Sequence, residues 1–211
     1  MFGVSKKYFP RLLMISLLSM LLQGCSSLPM KSSQDEAIAP IPGKRLLSNY
    51  WDLRSKVGFY SEQENGSASL RWSQQGEAFD ITLFDPLGRQ LGHISSDGAL
   101  YVFQSKDSQI EGNSSEDIML QLTGKPLPVS QLKYWIKGMK APFLPTEPLS
   151  ASPHHIEFIQ ANWHVNISGF QLLNEFRVPK KVIVEYPADP ESSESKIRLK
   201  FLIKEWNLPD A

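Results

Sequence analysis

The sequence predicts an all-β domain with a helical plug, and three observations carry that expectation. Apolar and polar residues alternate over five separate segments, turn-forming pairs fall between them, and two short capped helical segments interrupt the pattern mid-chain. Alternation puts successive side chains on opposite faces, so each segment offers one apolar row to a shared interior.

From the amino terminus, residues 1–24 have the form of a secretory signal, with Lys6, Lys7 and Arg11 ahead of a leucine-rich stretch from Leu12 to Leu22. That stretch is too short for a spanning helix, which needs about 20 apolar residues. Leu22-Gln23-Gly24-Cys25 resembles the bacterial lipobox, whose cysteine receives a diacylglycerol, becomes the new amino terminus on cleavage and is then N-acylated. The resemblance implies lipidation at Cys25. Ser26 stands where such proteins carry an aspartate to stay in the inner membrane, which implies the outer membrane. One acyl chain binds a bilayer only marginally, at about 0.8 kcal/mol per buried methylene, whereas three chains would anchor the protein stably. Residues 25–43 then make a lipid anchor and flexible linker, rich in Ser and Pro (Pro29, Pro40, Pro42), and residues 44–211 make one domain with a core of its own.

Within that domain a short helix is expected from Gly43 to Asn49 through Leu46 and Leu47. Strands follow at Trp51, Leu53, Ser55, Val57, Phe59; at Ala68, Leu70, Trp72; at Phe79, Ile81, Leu83; at Trp163, Val165, Ile167; and at Ile197, Leu199, Phe201, Ile203. Turns are expected at Asn65-Gly66, Gln75-Gly76, Asp97-Gly98 and Pro187 to Pro190, so neighbouring strands should pair as antiparallel hairpins. Ser115 to Leu122 has a cap, acids in its first turn and Gly124 beyond its end, and Ser130 to Lys137 repeats that grammar before Gly138. Between them, Lys125-Pro126-Leu127-Pro128-Val129 is a stiff extended joint. Lying between two blocks of strands, the helices would plug one side of a curved sheet.

Composition removes several function classes. Basic and acidic residues balance at 22 each, with no long basic run, so nucleic acid is not the expected partner. The single cysteine leaves no disulfide to stabilise the domain. None of the four histidines (His93, His154, His155, His164) sits in a catalytic motif, and there is no nucleophile elbow or phosphate loop. His155 and Glu157 would share a strand face, but no third metal ligand is evident, so a solvated face is the expected reading and no metal is expected. No enzyme activity is expected.

Asp85-Pro86-Leu87-Gly88 has the composition of a tight turn, with Leu87 its odd member. That leucine either tucks against Phe84 or Leu91, or meets something apolar outside the domain. Trp51, Trp72, Trp135, Trp163 and Trp206, with eleven phenylalanines, either line an apolar interior or pack as ordinary core.

Trp51 to Lys56, Leu70-Arg71-Trp72, Asp85-Pro86-Leu87-Gly88 and Leu127-Pro128-Val129-Ser130-Gln131-Leu132-Lys133-Tyr134-Trp135-Ile136-Lys137-Gly138 together resemble the LolB family of outer-membrane lipoprotein receptors. The chain departs from that family's pattern at Ser55-Lys56, where Gly-Arg is usual, and at Asp85, where a non-acidic residue is common. The resemblance implies an unclosed antiparallel β-barrel of about eleven strands covering a hydrophobic cavity, with short helices inside. It also implies a periplasm-facing monomer without cofactor beyond the diacylglycerol and N-acyl chain on Cys25. Such a protein would accept acylated lipoprotein cargo from a LolA-type periplasmic carrier and insert it into the inner leaflet of the outer membrane. Leu87, with Pro86 and Gly88, would then form a membrane-insertion loop. From the alternation, Trp72, Phe79, Ile81, Trp135, Ile136, Trp163 and Phe201 are the expected cavity lining. The competing expectations are a structural envelope lipoprotein that recruits a partner through its strand edges, and a periplasmic lipid-handling enzyme.

Overall fold

The computed structural model describes residues 43–125, 127–187, 191 and 195–208. The expected signal segment, Cys25 and the expected linker through residue 42 lie outside the described residues, as do Pro126 and residues 188–190 of the expected Pro187 to Pro190 turn. In chain order the elements are β1 (Lys44–Arg45), β2 (Tyr50–Ser61), β3 (Asn65–Gln75), β4 (Ala78–Phe84), β5 (Gln90–Ser96), β6 (Tyr101–Gln104), β7 (Gln109–Gly112), α1 (Ser115–Thr123) and α2 (Val129–Trp135). There follow β8 (Thr146–Ser152), β9 (His155–Gln160), β10 (Trp163–Ser168), β11 (Gln171–Leu173), β12 (Phe176–Val178), β13 (Lys181–Tyr186) and β14 (Ile197–Asn207).

Eleven strands form one sheet in the order β7-β6-β5-β4-β3-β2-β14-β13-β10-β9-β8, with every neighbouring pair antiparallel. Its terminal strands β7 and β8 do not pair with each other, so the sheet is open, as the family resemblance implies. A small second sheet, β1-β12-β11, lies apart from it. It takes up the segment expected to be helical: Lys44 and Arg45 pair in parallel with Phe176 and Arg177, and the chain from there to β2 is irregular. Leu46 is buried and Leu47 exposed, so the two leucines serve no common helix face.

The predicted alternation sets the main sheet's inner face. Trp51, Leu53 and Ser55 of β2, Leu70, Trp72 and Gln74 of β3, and Ile197 to Ile203 at every second position of β14 are buried. A bulge between Ile203 and Glu205 adds one residue to β14, which shifts the parity. Trp206 therefore stands opposite Leu53 and is buried, while Glu205 turns outward to Arg54 at 3.2 Å. The β2–β3 reversal falls at Ser61–Glu64, closed by the Ser61 N–H donating to the Glu64 carbonyl at 2.8 Å, and not at Asn65-Gly66, which is already in β3. Four-residue reversal leaves Phe59 opposite Gly66 and keeps both inner rows in step.

The helices bridge the two free edges. Ser114 caps α1, its hydroxyl oxygen accepting from the Asp117 N–H at 3.1 Å, and Gly124 closes the far end in a left-handed conformation. Ile118 packs where Gly112 of β7 lacks a side chain, since a Cβ there would lie 3.1 Å from its Cδ1. Helix α2 starts at Val129 and has no cap of its own. Glu116 of α1 serves instead, one carboxylate oxygen accepting from both the Ser130 N–H (2.9 Å) and the Ser130 hydroxyl (2.7 Å). The helix ends at Trp135, earlier than expected, and runs into a turn through Gly138.

In that turn Lys137 is 2 % exposed, its ammonium donating to the Ser48 carbonyl and to Asn49 Oδ1, both at 2.9 Å. Burial, and then the charge of Lys133, lower its pKa from the ordinary 10.5 to about 8. Between those values the unfolded chain holds a proton that the folded one has released, so stability rises with pH across that window. Measured by denaturant unfolding, the wild type should gain stability relative to Lys137→Met as pH goes from 8 to 10.5.

Candidate functional site: an apolar cavity and an exposed leucine turn

Between the sheet and the helices lies a cavity of about 380 Å³. Its wall takes Val57 and Phe59 from β2, Ala68, Leu70 and Trp72 from β3, Ile81 and Leu83 from β4, Leu91 and Ile94 from β5, and Leu199 and Phe201 from β14. Its cover takes Met119 from α1, Leu127 from the joint, and Val129 and Leu132 from α2. Ser67 supplies the one polar side chain of the lining. The Trp72 indole N–H donates to Gln74 Oε1 at 3.1 Å, so this wall residue brings no unpaired donor. Behind it Trp51 packs against both Trp72 (5.2 Å between ring centres) and Trp206 (5.5 Å). Such a space can hold a flexible apolar group and offers almost nothing to a polar one.

Of the residues expected to line a cavity, Trp72, Ile81 and Phe201 do line this one. The other four lie elsewhere. Phe79 packs on the Tyr101 ring, and Trp163 on Tyr186. Trp135 meets Phe158 edge-on and donates its indole N–H to Gln160 at 2.8 Å, and Ile136 is fully buried beside it in the core. Alternation tells which face a strand residue takes, not its depth along the curved sheet, and α2 fills the Trp135–Phe158 region with packed core. Leu70, Leu83 and Leu199 were legible as inward residues, whereas Met119 and Val129 belong to the cover and carry no strand signal.

The cover is tied down by polar contacts at its margins. The Glu116–Ser130 pair joins α1 to α2, and Lys133 of α2 ties the cover to the sheet by reaching Glu77 in the β3–β4 turn at 2.6 Å. Gln160, only 1 % exposed, accepts from Trp135 and from the Ala141 N–H (2.9 Å) and donates to the Ala141 carbonyl (2.9 Å) and the Thr146 hydroxyl (2.8 Å).

On the rim, the β4–β5 turn projects Leu87, which is 80 % exposed, not folded against Phe84 or Leu91. The buried Asp85 builds this turn. Its Oδ1 accepts from the N–H groups of Leu87 (2.8 Å) and Arg89 (2.9 Å), its Oδ2 accepts from Arg89 Nε (2.6 Å), and its carbonyl accepts from the Gly88 N–H (3.0 Å). Pro86 presets the second turn position, and Gly88 takes the left-handed φ of +82° that a side chain would resist. The Arg89 N–H foremost, with the Arg89 side chain and the Leu87 N–H, outweighs desolvation and holds the Asp85 carboxyl below its ordinary value.

His155 and Glu157 do share a face, and they join a chain of hydrogen-bonding side chains along it. Glu157 bridges His155 (3.2 Å) and His164 (2.7 Å), and Glu185 bridges His164 (3.6 Å) and Arg198 (3.2 Å). Among the described residues no group of three or more His, Cys, Asp or Glu side chains is placed to hold a metal ion, and no helix is long and apolar enough to cross a membrane.

Residues 49–206 match the family model described as outer membrane lipoprotein LolB. The chain belongs to the LolB family. It is 34 % identical over 165 residues to the outer-membrane lipoprotein LolB of Cellvibrio japonicus (strain Ueda107), covering 75 % of this chain and 77 % of that protein. With the LolB of Marinomonas sp. (strain MWYL1) it shares 26 % identity over 94 % of this chain and 98 % of that one. Among solved structures, the LolA superfamily protein NE2245 from Nitrosomonas europaea superposes with a TM-score of 0.47 at 9 % identity, over 79 % of this chain and 89 % of that chain. That likeness is too partial to carry inference. LolB membership makes the chain one of a family of outer-membrane lipoproteins.

Because Asp85 orders the LolB turn as a carboxylate, Asp85→Ala should speed amide hydrogen exchange at Leu87 and Arg89 while leaving the β-sheet circular dichroism spectrum unchanged. Acid should have the same effect on the wild type only once pH falls through the lowered pKa of Asp85, below the ordinary carboxylate range.

Proposed function

We propose that the domain accepts acylated lipoproteins from a LolA-type periplasmic carrier and inserts them into the inner leaflet of the outer membrane, to which the lipid on Cys25 tethers it. The observation that carries this reading is the almost wholly apolar cavity beneath a cover held by polar ties. A chain of about 16 carbons gains on the order of 10 kcal/mol on leaving water, so an apolar space suffices to capture it without chemistry. Transfer then runs downhill if cargo binds here more tightly than on the carrier and more tightly still in the bilayer. At about 380 Å³ the cavity lies near the lower end of ligand pockets, which run from about 300 to 1,000 Å³, so a triacylated cargo requires α1 and α2 to lift. The Glu116–Ser130 and Lys133–Glu77 contacts each have an exposed partner and can break and re-form at little cost, whereas buried Lys137 keeps the turn after α2 in place. Leu87, held out of the rim by Asp85, enters the lipid boundary and eases the chains across.

Recruitment of a partner through a sheet edge finds less support. The free edge strand β8 carries Pro148 and a bulge between Pro148 and Ser150, and both features discourage strand addition.

The deciding experiment mixes the Cys25→Ala protein with carrier loaded with a triacylated lipoprotein. Cargo should change hands without ATP, and a folded protein that takes none would overturn the proposal. Leu87→Glu should capture cargo normally yet lose most delivery to liposomes, and normal delivery by that variant would remove the role given to the turn.

A further inference from the structure

A second apolar tip stands on the same rim, in the loop between α2 and β8. Phe143 is fully exposed and adopts φ of +61°, a left-handed conformation that a bulky side chain resists. Both features work against stability in a domain that keeps its other phenylalanines wholly or partly covered. The loop is nevertheless firmly held. Gln160 bonds both the N–H and the carbonyl of Ala141 and also donates to the Leu144 carbonyl at 3.3 Å, so the residues flanking the tip are fixed to a buried side chain. Pro142 and Pro145 stiffen it further, and from Ala141 to Thr146 it contains no charge. The pedestal under Phe143 thus parallels the one under Leu87: one buried polar side chain, Gln160 or Asp85, gathers the backbone of a short loop and leaves one apolar side chain pointing out.

Sheet topology aligns the two. β4 runs into the Leu87 turn and β8 runs out of the Phe143 loop, and in the antiparallel order these ends fall on one rim. The β5–β6 turn with Ala99 lies on the other. Exposed Lys140 precedes the Phe143 tip, its ammonium 5.9 Å from the centre of the Phe158 ring, and gives the loop's approach one positive charge of the sign that anionic headgroups attract.

We propose that Phe143 is a second membrane-contact residue, which enters the interface of a phospholipid bilayer together with Leu87 and so sets the orientation of the domain on the membrane. The inference rests on the membrane role proposed for Leu87. A bilayer, not a protein groove, is the fitting partner, because a lone aromatic ring between prolines, with a cation nearby, needs a fluid apolar phase and not a shaped pocket.

The test uses the full chain with its lipid on Cys25, where an introduced cysteine is the free thiol. Phe143→Cys, Leu87→Cys and Ala99→Cys are each labelled with an environment-sensitive dye and reconstituted into vesicles of phosphatidylethanolamine and phosphatidylglycerol containing a lipid-borne quencher. Dyes at 143 and 87 should shift to the blue and be quenched, and the dye at 99 should do neither. If 87 reports lipid and 143 reports water, this proposal fails and the role of Leu87 stands; if both report water, both fail. A response at 143 seen with the carrier but not with lipid also overturns it. As a second measurement, Phe143→Gly relieves the left-handed strain, so its loss of function cannot be blamed on misfolding. Placed in the Cys25→Ala protein, which has no lipid anchor to mask the effect, it should bind cargo normally while partitioning onto vesicles about tenfold more weakly, the worth of one largely buried aromatic side chain. Unchanged partitioning would count against the proposal.

Discussion

The open sheet has to cover its own apolar face, and much of the structure answers that constraint. Alternate residues of β2, β3, β4 and β14 turn inward, but β7 and β8 never meet, so hydrogen bonding cannot seal the interior as it would in a closed barrel. The segment between those edges supplies the missing wall. Where α2 brings Trp135 and Ile136 against Phe158, the result is packed core; where it brings Val129 and Leu132, with Met119 of α1, opposite Leu70 and Phe201, space remains. One helical segment therefore makes both the firm part of the interior and the empty part.

Polar side chains do the locating. Asp85, Gln160, Glu116 and Lys137 each gather two or more backbone or side-chain groups at a boundary of the apolar interior. Buried polar groups are tolerated only when their bonding capacity is met, and meeting it fixes the neighbouring backbone. The division of labour is clear in the two rim loops, where the buried polar residue supplies order and the apolar residue is left free.

Much of this was legible in the sequence because period two is a strong signal. The rows from Trp51 to Phe59 and from Ile197 to Ile203 needed no tertiary information, and the leucine turn declared itself by its Asp, Pro and Gly. Other features depend on partners far along the chain. Gly43 to Asn49 shows no period-two alternation, yet its Lys44 and Arg45 find strand partners in Phe176 and Arg177. Ala161 and Asn162 form a two-residue hairpin with both φ values positive, although Ala is a poor advertisement for that geometry. Phe79, Trp135, Ile136 and Trp163 are inward or buried but do not line the cavity, because depth along a curved sheet is set by the whole register. Gln160, which anchors the loop under Phe143, looks in sequence like any polar residue at a strand end.

One consequence follows from where the cover attaches. The chain leaves the sheet at the last residue of β7 and rejoins it at the first of β8, so apart from the side-chain ties to Glu77, Ser48 and Gln160 the cover is joined to the sheet at the two free margins. Like a drawstring threaded through both sides of a purse, it cannot rise without pulling on each margin, and the margins cannot part without drawing it taut. Widening the mouth and uncovering the interior are then a single mechanical movement, shared by the whole curved sheet.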